Sequence, residues 1–196
     1  MWFDRVPLAG RHVLLRPLAE GDGPALLSAA ADGELWTSAY TVIPRPDTVE
    51  AYVRRALDEQ KGGTAMPFVI SLAEDGRVAG STRFWKMDPR NRTLEIGHSW
   101  IAASWQRTFV NTEAKYAMLR FAFESLGCIR VQFQTDMLNS QSRRAILRLG
   151  ATFEGTLRHE RIMPDGRKRD TALYAIIDED WPGVRLRLEE KLMARS

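Results

Sequence analysis

The sequence predicts an α+β domain in which helices flank a central, mostly antiparallel mixed sheet of about seven strands. Its 196 residues suit one compact domain, spanning 1–196, better than two. Three successive strand patterns joined by tight turns predict an antiparallel meander in the first half. In the second half strand and helix patterns alternate, so the sheet is expected to be mixed.

The first half of the chain predicts a strand, two helical stretches and the meander. A short strand over 11–18 precedes helical patches between Glu20 and Ala31. Asp47, with Glu50 three residues later, matches a capping box, so a helix is expected to run from there to about Gln60. The meander strands are predicted over 68–72, 78–86 and 94–101, with turns at 74–76 and 88–91.

The second half opens with apolar residues at helical spacing over 111–126, with Asn111 or Thr112 as the expected N-cap and Gly127 as the end. The later elements are a strand over 128–135, a helix capped by Asn139 and ended by Gly150, strands over 152–163 and 170–177 joined by a turn at Pro164-Asp165-Gly166, and a helix opened by Trp181-Pro182.

Composition excludes several classes of protein. Hydrophobic residues make up 44% and charged residues 27%, as in ordinary globular proteins. No apolar run approaches 18 residues, and residues 1–5 lack the layout of a secretory signal, so we expect a cytoplasmic protein with no membrane partner. The single cysteine, Cys128, is expected to be a core thiol, and the three scattered histidines predict no metal site.

The net charge of +3 is mildly basic, and its densest part is the segment 158–169. Two interpretations of this segment stay open: a solvated hairpin, or a surface for an anionic ligand or partner. Charges of both signs alternate along most of the chain, so nucleic acid is not an expected partner.

Two strand–loop–helix junctions could bind an anion. After the strand over 94–101, the loop 102–110 leads into a helix whose N-terminus offers free N–H groups and a positive dipole end. Arg107, Gln106 and Thr108 add donors, although the loop lacks glycine. The second junction, 135–142, follows the next strand. Taken alone, either junction is equally consistent with an ordinary loop and helix cap.

Several motifs follow one another along the chain: Glu95-Ile96-Gly97-His98-Ser99-Trp100, Ser104 to Lys115, Asn139 to Ala151, Glu154 to Arg158, and the hairpin from Pro164 to Tyr174. In this order they resemble the GNAT N-acetyltransferases, in particular the RimJ/RimL-like branch of ribosomal-protein N-terminal acetyltransferase-like enzymes. The resemblance covers nearly the whole chain.

The resemblance implies a GNAT fold in which the fourth and fifth predicted strands splay apart and the pantetheine arm of acetyl-CoA, or of another acyl-CoA, lies in the gap. No metal is implied. The residues implied to bind the cofactor are Trp100, Ile101, Ala102, Gln106, Arg107, Thr108, Phe109, Val110, Asn111, Thr112, Asn139, Ser142 and Arg143.

The sequence departs from the family pattern at two places. Phe109 and Asn111 occupy the positions of the usual glycines of the pyrophosphate loop, and Arg107 or Thr108 could compensate. Ile146 occupies the position of the tyrosine that protonates the leaving thiolate in many members. In the RimJ/RimL-like branch a serine matching Ser142 is implied to take that task.

Direct attack of an amine on a thioester needs a base, because most amines are protonated at pH 7. Glu95 is the first candidate, followed by His98 and by Glu160 with its neighbour His159; each could instead be structural. Strand alternation predicts Glu95, Gly97 and Ser99 on one face and Ile96, His98 and Trp100 on the other.

The acceptor implied by the resemblance is a protein N-terminus or a small-molecule amine. The residues expected to line its site are Trp36, Tyr40 and Trp85. Three other functions remain open: transfer of a different acyl group such as succinyl, a non-catalytic acyl-CoA-binding module, and a basic RNA or ribosome adaptor. The 152–177 hairpin and the last helix are candidate surfaces for a homodimer.

Overall fold

The computed structural model describes residues 2, 5–163 and 165–194, and its strands form one eight-stranded sheet. The strands are β1 (Leu8–Ala9), β2 (Val13–Pro17), β3 (Met66–Leu72), β4 (Val78–Asp88), β5 (Thr93–Ile101), β6 (Arg130–Asp136), β7 (Thr152–Ile162) and β8 (Lys168–Ile177). Their order is β1-β2-β3-β4-β5-β6-β8-β7, and only β5 and β6 pair in parallel. The predicted fold class is confirmed, and the sheet exceeds the predicted seven strands because the short β1 pairs with β2.

In the part of the chain that the structure describes, five α-helices accompany the sheet: α1 (Gly23–Ala31), α2 (Val49–Lys61), α3 (Val110–Arg120), α4 (Ser140–Leu149) and α5 (Trp181–Met193). A π-helical turn over Phe121–Ser125 continues α3 before Gly127 turns the chain with a φ of +62°. Within the described part of the chain, no helix combines the length and apolarity needed to cross a bilayer.

Two apolar layers lie on opposite faces of the sheet. The larger core contains residues of α3, α4 and α5, including Val110, Ile146 and Leu188, packed on β2 to β6 and β8. The smaller core joins α1 and α2 to Val69 of β3 and Trp100 of β5. Residues of β6 and β8 contribute to the larger core alone, so the second face of these strands does not lie beneath the α1–α2 layer.

A β-bulge in β5 changes which side chains share a face. Ser81 pairs with Trp100 and Arg83 with Gly97, so Thr82 stands opposite both His98 and Ser99, and His98 has a φ of +50°. The predicted alternation is therefore wrong beyond Gly97. Ser99 bonds to Lys115 of α3, whereas the Trp100 indole N–H donates to Tyr52 of α2 at 3.2 Å.

Two predicted helix starts are also wrong. The capping box of Asp47 and Glu50 does not form, because α2 begins at Val49 with Thr48 as its N-cap. Neither Asn111 nor Thr112 caps α3, which begins at Val110 after Phe109. The Asn139 cap is confirmed: its Oδ1 accepts the Ser142 N–H at 3.0 Å.

Cys128 is buried, and burial raises the pKa of its thiol to about 12, as expected for an inert core cysteine. The turn between β7 and β8 contains Asp165 and Gly166, whose φ is +81°. Pro164, the first residue of the predicted turn, lies outside the described residues.

Candidate active site

The parallel strands β5 and β6 separate partway along their length. They pair only at Thr93, Leu94 and Glu95, opposite residues 130–132, although β5 continues to Ile101 and β6 to Asp136. A wedge-shaped gap therefore opens beyond Glu95, as predicted. Its two sides lead to the N-termini of α3 and α4, where Gln141 Nε2 donates to Gln106 Oε1 at 3.4 Å.

The loop before α3 is ordered by its own side chains. Gln106 Nε2 donates to the Ile101 carbonyl at 3.0 Å, and Thr108 Oγ1 donates to the Trp105 carbonyl at 2.7 Å. Thr108 Oγ1 also accepts the Val110 N–H at 3.3 Å, so the first helical donor is satisfied locally. Asn111 and Thr112 follow in the first turn, with no side-chain cap on this helix.

Phe109 does not need the backbone freedom of the glycine it replaces. Its φ of −69° is right-handed, and its ring packs 5.1 Å from the His12 ring and 6.3 Å from Trp105. The left-handed residue of the loop is instead the exposed Arg107, with a φ of +61°. The loop thus turns at Arg107, two residues before the position of the family glycine.

On the α4 side, Ser142 is half-buried in the first helical turn. Arg143 Nε donates to the hydroxyl of buried Tyr174 at 3.1 Å, and its Nη1 donates to the carbonyl of Met137, just after β6, at 3.4 Å. Ile146, at the position of the family tyrosine, lies in the larger core. Contacts of these residues with a cofactor remain predictions.

The face of the sheet opposite the larger core carries the candidate acid–base groups. We call it the acceptor face and define it by Glu95, Gln132, Glu160, Arg161 and Thr171. Glu95 is 6% exposed, accepts a hydrogen bond from Gln132 Nε2 at 3.2 Å and pairs with Lys86 Nζ at 3.1 Å. Since Glu95 and Gln132 are the last paired residues, this carboxylate lies at the apex of the gap.

His98 lies beside the same face and packs edge-on against Trp85, with ring centroids 4.9 Å apart. Burial, followed by the charges of Arg83 and other cations, lowers the pKa of His98 to about 3. The imidazole is therefore neutral at pH 7 and is a weak base there.

Glu160 is engaged by two partners: Arg161 Nε donates to it at 2.7 Å and the Thr171 hydroxyl at 3.1 Å. The hydrogen bond from Arg161 is the main cause that lowers the pKa of Glu160. Its neighbour His159 is exposed and adopts a φ of +52°.

The predicted acceptor aromatics are spread around this region rather than stacked together. Trp36 is half-buried against the smaller core, and Tyr40 is exposed in the following loop. The hydrogen bond to Asp136 is the main cause that raises the pKa of Arg167, and an electrostatic interaction with Tyr40 adds to it.

Sequence reasoning missed a buried lysine under the bulge. Lys115 of α3 is 5% exposed, and its Nζ donates to Thr82 Oγ1 at 2.8 Å and Ser99 Oγ at 2.7 Å. Burial lowers the pKa of Lys115 to about 7. Its place beside the apolar stripe of Ala114 and Met118 was the available signal.

Comparison with known proteins connects this geometry to a family. The model of the acetyltransferase (GNAT) domain matches residues 12–152. The chain belongs to the GNAT acetyltransferase family. The family assigned from the sequence is confirmed, and with it the class of enzyme, an acetyl-CoA-dependent N-acetyltransferase. A non-catalytic binding module is not favoured.

The chain is similar to one curated protein and to solved structures of other acetyltransferases. It is 30% identical over 114 residues to the putative ribosomal N-acetyltransferase YdaF of Bacillus subtilis, a match that covers 58% of this chain and 61% of that protein. A putative acetyltransferase from T. thermophilus is 36% identical with a TM-score of 0.85, covering 98% of this chain and 100% of that one. RimL, a ribosomal L7/L12 acetyltransferase solved with coenzyme A, shares the fold at 21% identity and a TM-score of 0.74, covering 89% and 100%.

The described residues contain no group of three or more His, Cys, Asp or Glu side chains placed to hold a metal ion. The polar groups around the gap are instead carboxylates, hydroxyls, amides and cations. Such groups can bind a phosphorylated cofactor and move protons.

Proposed function

We propose that this GNAT enzyme transfers the acetyl group of acetyl-CoA to a primary amine, either a protein N-terminus or a small molecule, by direct attack on the thioester. The observation that carries the proposal is the loss of pairing between β5 and β6 after Glu95. Strand edges without a partner offer backbone donors and acceptors to a ligand. The pantetheine arm of the cofactor would fill this gap.

The cofactor would lie across the two helix N-termini. Arg107 and the first turn of α3 would hold the pyrophosphate, because free N–H groups and a helix dipole favour an anion. Asn139, Ser142 and Arg143 would line the other side. Two backbone groups near Trp100 are already used: the Ile101 carbonyl accepts from Gln106, and the Ala102 N–H donates to Ala79 O at 2.8 Å.

The acceptor amine would approach from the acceptor face, near Trp36, Tyr40 and Trp85. Glu95 is the proposed base, directly or through water, because it lies at the apex of the gap. His98 is too weak a base at pH 7, and the hydrogen bond from Arg161 lowers the pKa of Glu160, which makes that carboxylate a weaker base. Backbone N–H groups of β5 would stabilise the thioester oxygen.

Ser142 is the proposed donor to the departing thiolate. It is half-buried in the first turn of α4, on the side of the gap opposite Glu95's strand. A hydroxyl at a helix N-terminus suits this task, because the positive end of the dipole also stabilises the thiolate.

The test combines a binding measurement and a transfer assay on wild-type protein and Ser142→Ala. We expect acetyl-CoA and free CoA to raise the melting temperature of both proteins, since a ligand bound only by the folded state stabilises it. Acetyl transfer to a panel of amines is expected for wild type and is expected to slow about tenfold or more in Ser142→Ala.

The outcomes separate the parts of the proposal. If no CoA derivative raises the melting temperature at millimolar concentration, the cofactor site is refuted. If binding occurs and Ser142→Ala transfers as fast as wild type, the role of Ser142 is refuted while the cofactor site stands.

We also propose that the whole chain acts as one domain in the cytoplasm and forms a homodimer through β7. This strand runs eleven residues along the sheet edge, and Phe153, Leu157 and Ile162 on it are exposed by 43%, 42% and 75%. An exposed apolar edge strand is a template for pairing with another chain. Sedimentation equilibrium should show a dimer for wild type and a monomer for Leu157→Lys; a monomeric wild type would refute the dimer.

A further inference from the structure

Among the described residues, Arg169 of β8 is a buried cation that has no ion-pair partner. It is 6% exposed, and its Nε has no hydrogen-bond partner among the described residues. No salt bridge to Arg169 occurs in residues 2, 5–163 and 165–194. A buried charge without a partner is costly, so proteins rarely keep one unless a ligand completes the site.

The carboxylates near Arg169 are already used by other cations. Asp136 is bonded to Arg167 at 2.6 Å, Glu160 to Arg161 at 2.7 Å, and Glu95 to Lys86 at 3.1 Å. These three pairs leave one positive charge in excess at Arg169. Arg83 is also buried with an Nε that has no hydrogen-bond partner among the described residues, but it forms an ion pair with Glu59, and Arg169 differs from it in lacking such a pair there.

The excess charge lies directly beside a second arginine. Arg161 of β7 and Arg169 of β8 are cross-strand partners, and such partners project from the same face of a sheet. Like charges in this arrangement repel. Arg161 is 48% exposed at its side chain, so the pair extends from a buried position toward solvent.

This positive charge also acts on the reaction site. Arg161 and Lys86 are among the cations that lower the pKa of His98, beside the bulge in β5. Arg161 and Arg169 both interact electrostatically with Glu95, at the apex of the gap. The two arginines therefore lie close to the place where the acceptor amine would meet the thioester.

We propose that Arg161 and Arg169 form a carboxylate-binding subsite on the acceptor face, so that the preferred acceptor is an amine bearing a nearby carboxylate. The inference rests on the proposed function, because it concerns the acceptor of that reaction. Arg169 suits this task because its planar fork can bind a carboxylate through two hydrogen bonds, whereas Nε and Nη2 of Arg161 already bond to Glu160, so Arg161 contributes its charge. The segment 158–169 is then a binding surface at Arg161 and Arg169 rather than a solvated hairpin throughout.

The test compares matched acceptors that differ only in one carboxylate. One suitable pair is β-alanine and β-alaninamide. A second pair is an amidated peptide with glutamate at its second position and the same peptide with glutamine there. We expect kcat/KM with acetyl-CoA to favour the carboxylate member about tenfold or more, as for charge-assisted hydrogen bonds. In Arg169→Gln and Arg161→Gln this preference is expected to fall to near one.

A second readout does not depend on turnover. Glutarate, in the presence of CoA, is expected to raise the melting temperature of wild type and of the control variant Arg158→Gln. Arg158 is an exposed arginine on β7, the strand that also contains Arg161. The rise is expected to disappear in Arg169→Gln. Arg169→Gln changes a buried residue and could impair folding. Arg161→Gln tests the same subsite at a partly exposed residue, where the substitution is better tolerated.

The outcomes distinguish failure of the inference from failure of the proposed function. Equal kcat/KM for the two members of each pair, or an unchanged glutarate response in Arg169→Gln, overturns the subsite while acetyl transfer stands. A dependence on Arg169 seen only with succinyl-CoA overturns it too, because the carboxylate would then belong to the acyl group. If no amine is acetylated although CoA binds, the proposed function fails, and the glutarate comparison still decides the subsite.

Discussion

Replacement of Glu95 by glutamine is expected to lower kcat about a hundredfold or more while leaving acetyl-CoA binding unchanged. Loss of a positioned base costs this much in many enzymes. The substitution keeps the shape of the side chain and its bond to Gln132. Lys86 loses its ionic partner, but it is 43% exposed and can be hydrated. Steady-state kinetics and a CoA thermal shift measure the two quantities.

The pH dependence gives this prediction its diagnostic signature. More of the amine is neutral at high pH, so Glu95→Gln should recover part of its rate as pH rises. The matched control is Glu154→Gln, which removes an exposed carboxylate paired with Arg130 in the segment where β5 and β6 still pair, and it should retain the wild-type rate. An unchanged kcat in Glu95→Gln, with loss in Glu160→Gln, would move the role of base to Glu160.

Replacement of Lys115 by methionine is expected to stabilise the protein by about 2 kcal/mol at pH 6, with an advantage that shrinks at higher pH. The pKa of Lys115 is about 7 in the folded protein and about 10.5 when exposed, so burial opposes its charged form. Methionine fills the same volume, and Thr82 and Ser99 can still pair through their hydroxyls, 2.7 Å apart.

The sign follows from proton linkage. Below pH 7 the lysine is charged in both states, and the full cost of burying it is present. Between pH 7 and 10.5 the unfolded chain binds the extra proton, so wild-type stability gains up to about 1.4 kcal/mol per pH unit relative to the variant. Urea unfolding of both proteins at pH 6, 7.5 and 9 measures this. A difference that stays constant with pH would show that Lys115 does not titrate in this range.

Most of the fold could be predicted because its elements carry local signals. The turn at Glu74-Asp75-Gly76, the Asn139 cap and the left-handed Gly150 each formed where the chemistry of those residues requires. The start of α3 was predicted wrongly for a different reason. Thr108 accepts the first N–H of α3 from outside the helix, a contact that helix patterns alone do not reveal.

The candidate site was less accessible to sequence reasoning, because it depends on contacts between distant segments. Glu95 could be chosen from its strand, but its partners Lys86 and Gln132 come from two other strands. Arg169 belonged to a basic segment that allowed two interpretations, and only the register of β7 and β8 shows that it is buried opposite Arg161. The bulge in β5 could not be predicted, because nothing in the sequence indicates that His98 adopts a positive φ in the middle of a strand.

The bulge at His98 makes β5 intolerant of changes in length. Each residue after it is set one step out of phase with the residues before it, so Glu95 and Trp100 share a face despite their odd spacing. Removal of His98 or Ser99 would restore regular alternation, so that Glu95 and Trp100 would project from opposite faces of the sheet. Either Trp100 would leave Tyr52 for the α3 side, or the Glu95 carboxylate would be driven into the larger core. Substitutions along β5 should therefore have effects of different sizes, whereas deletion of a single residue there should abolish folding and catalysis together.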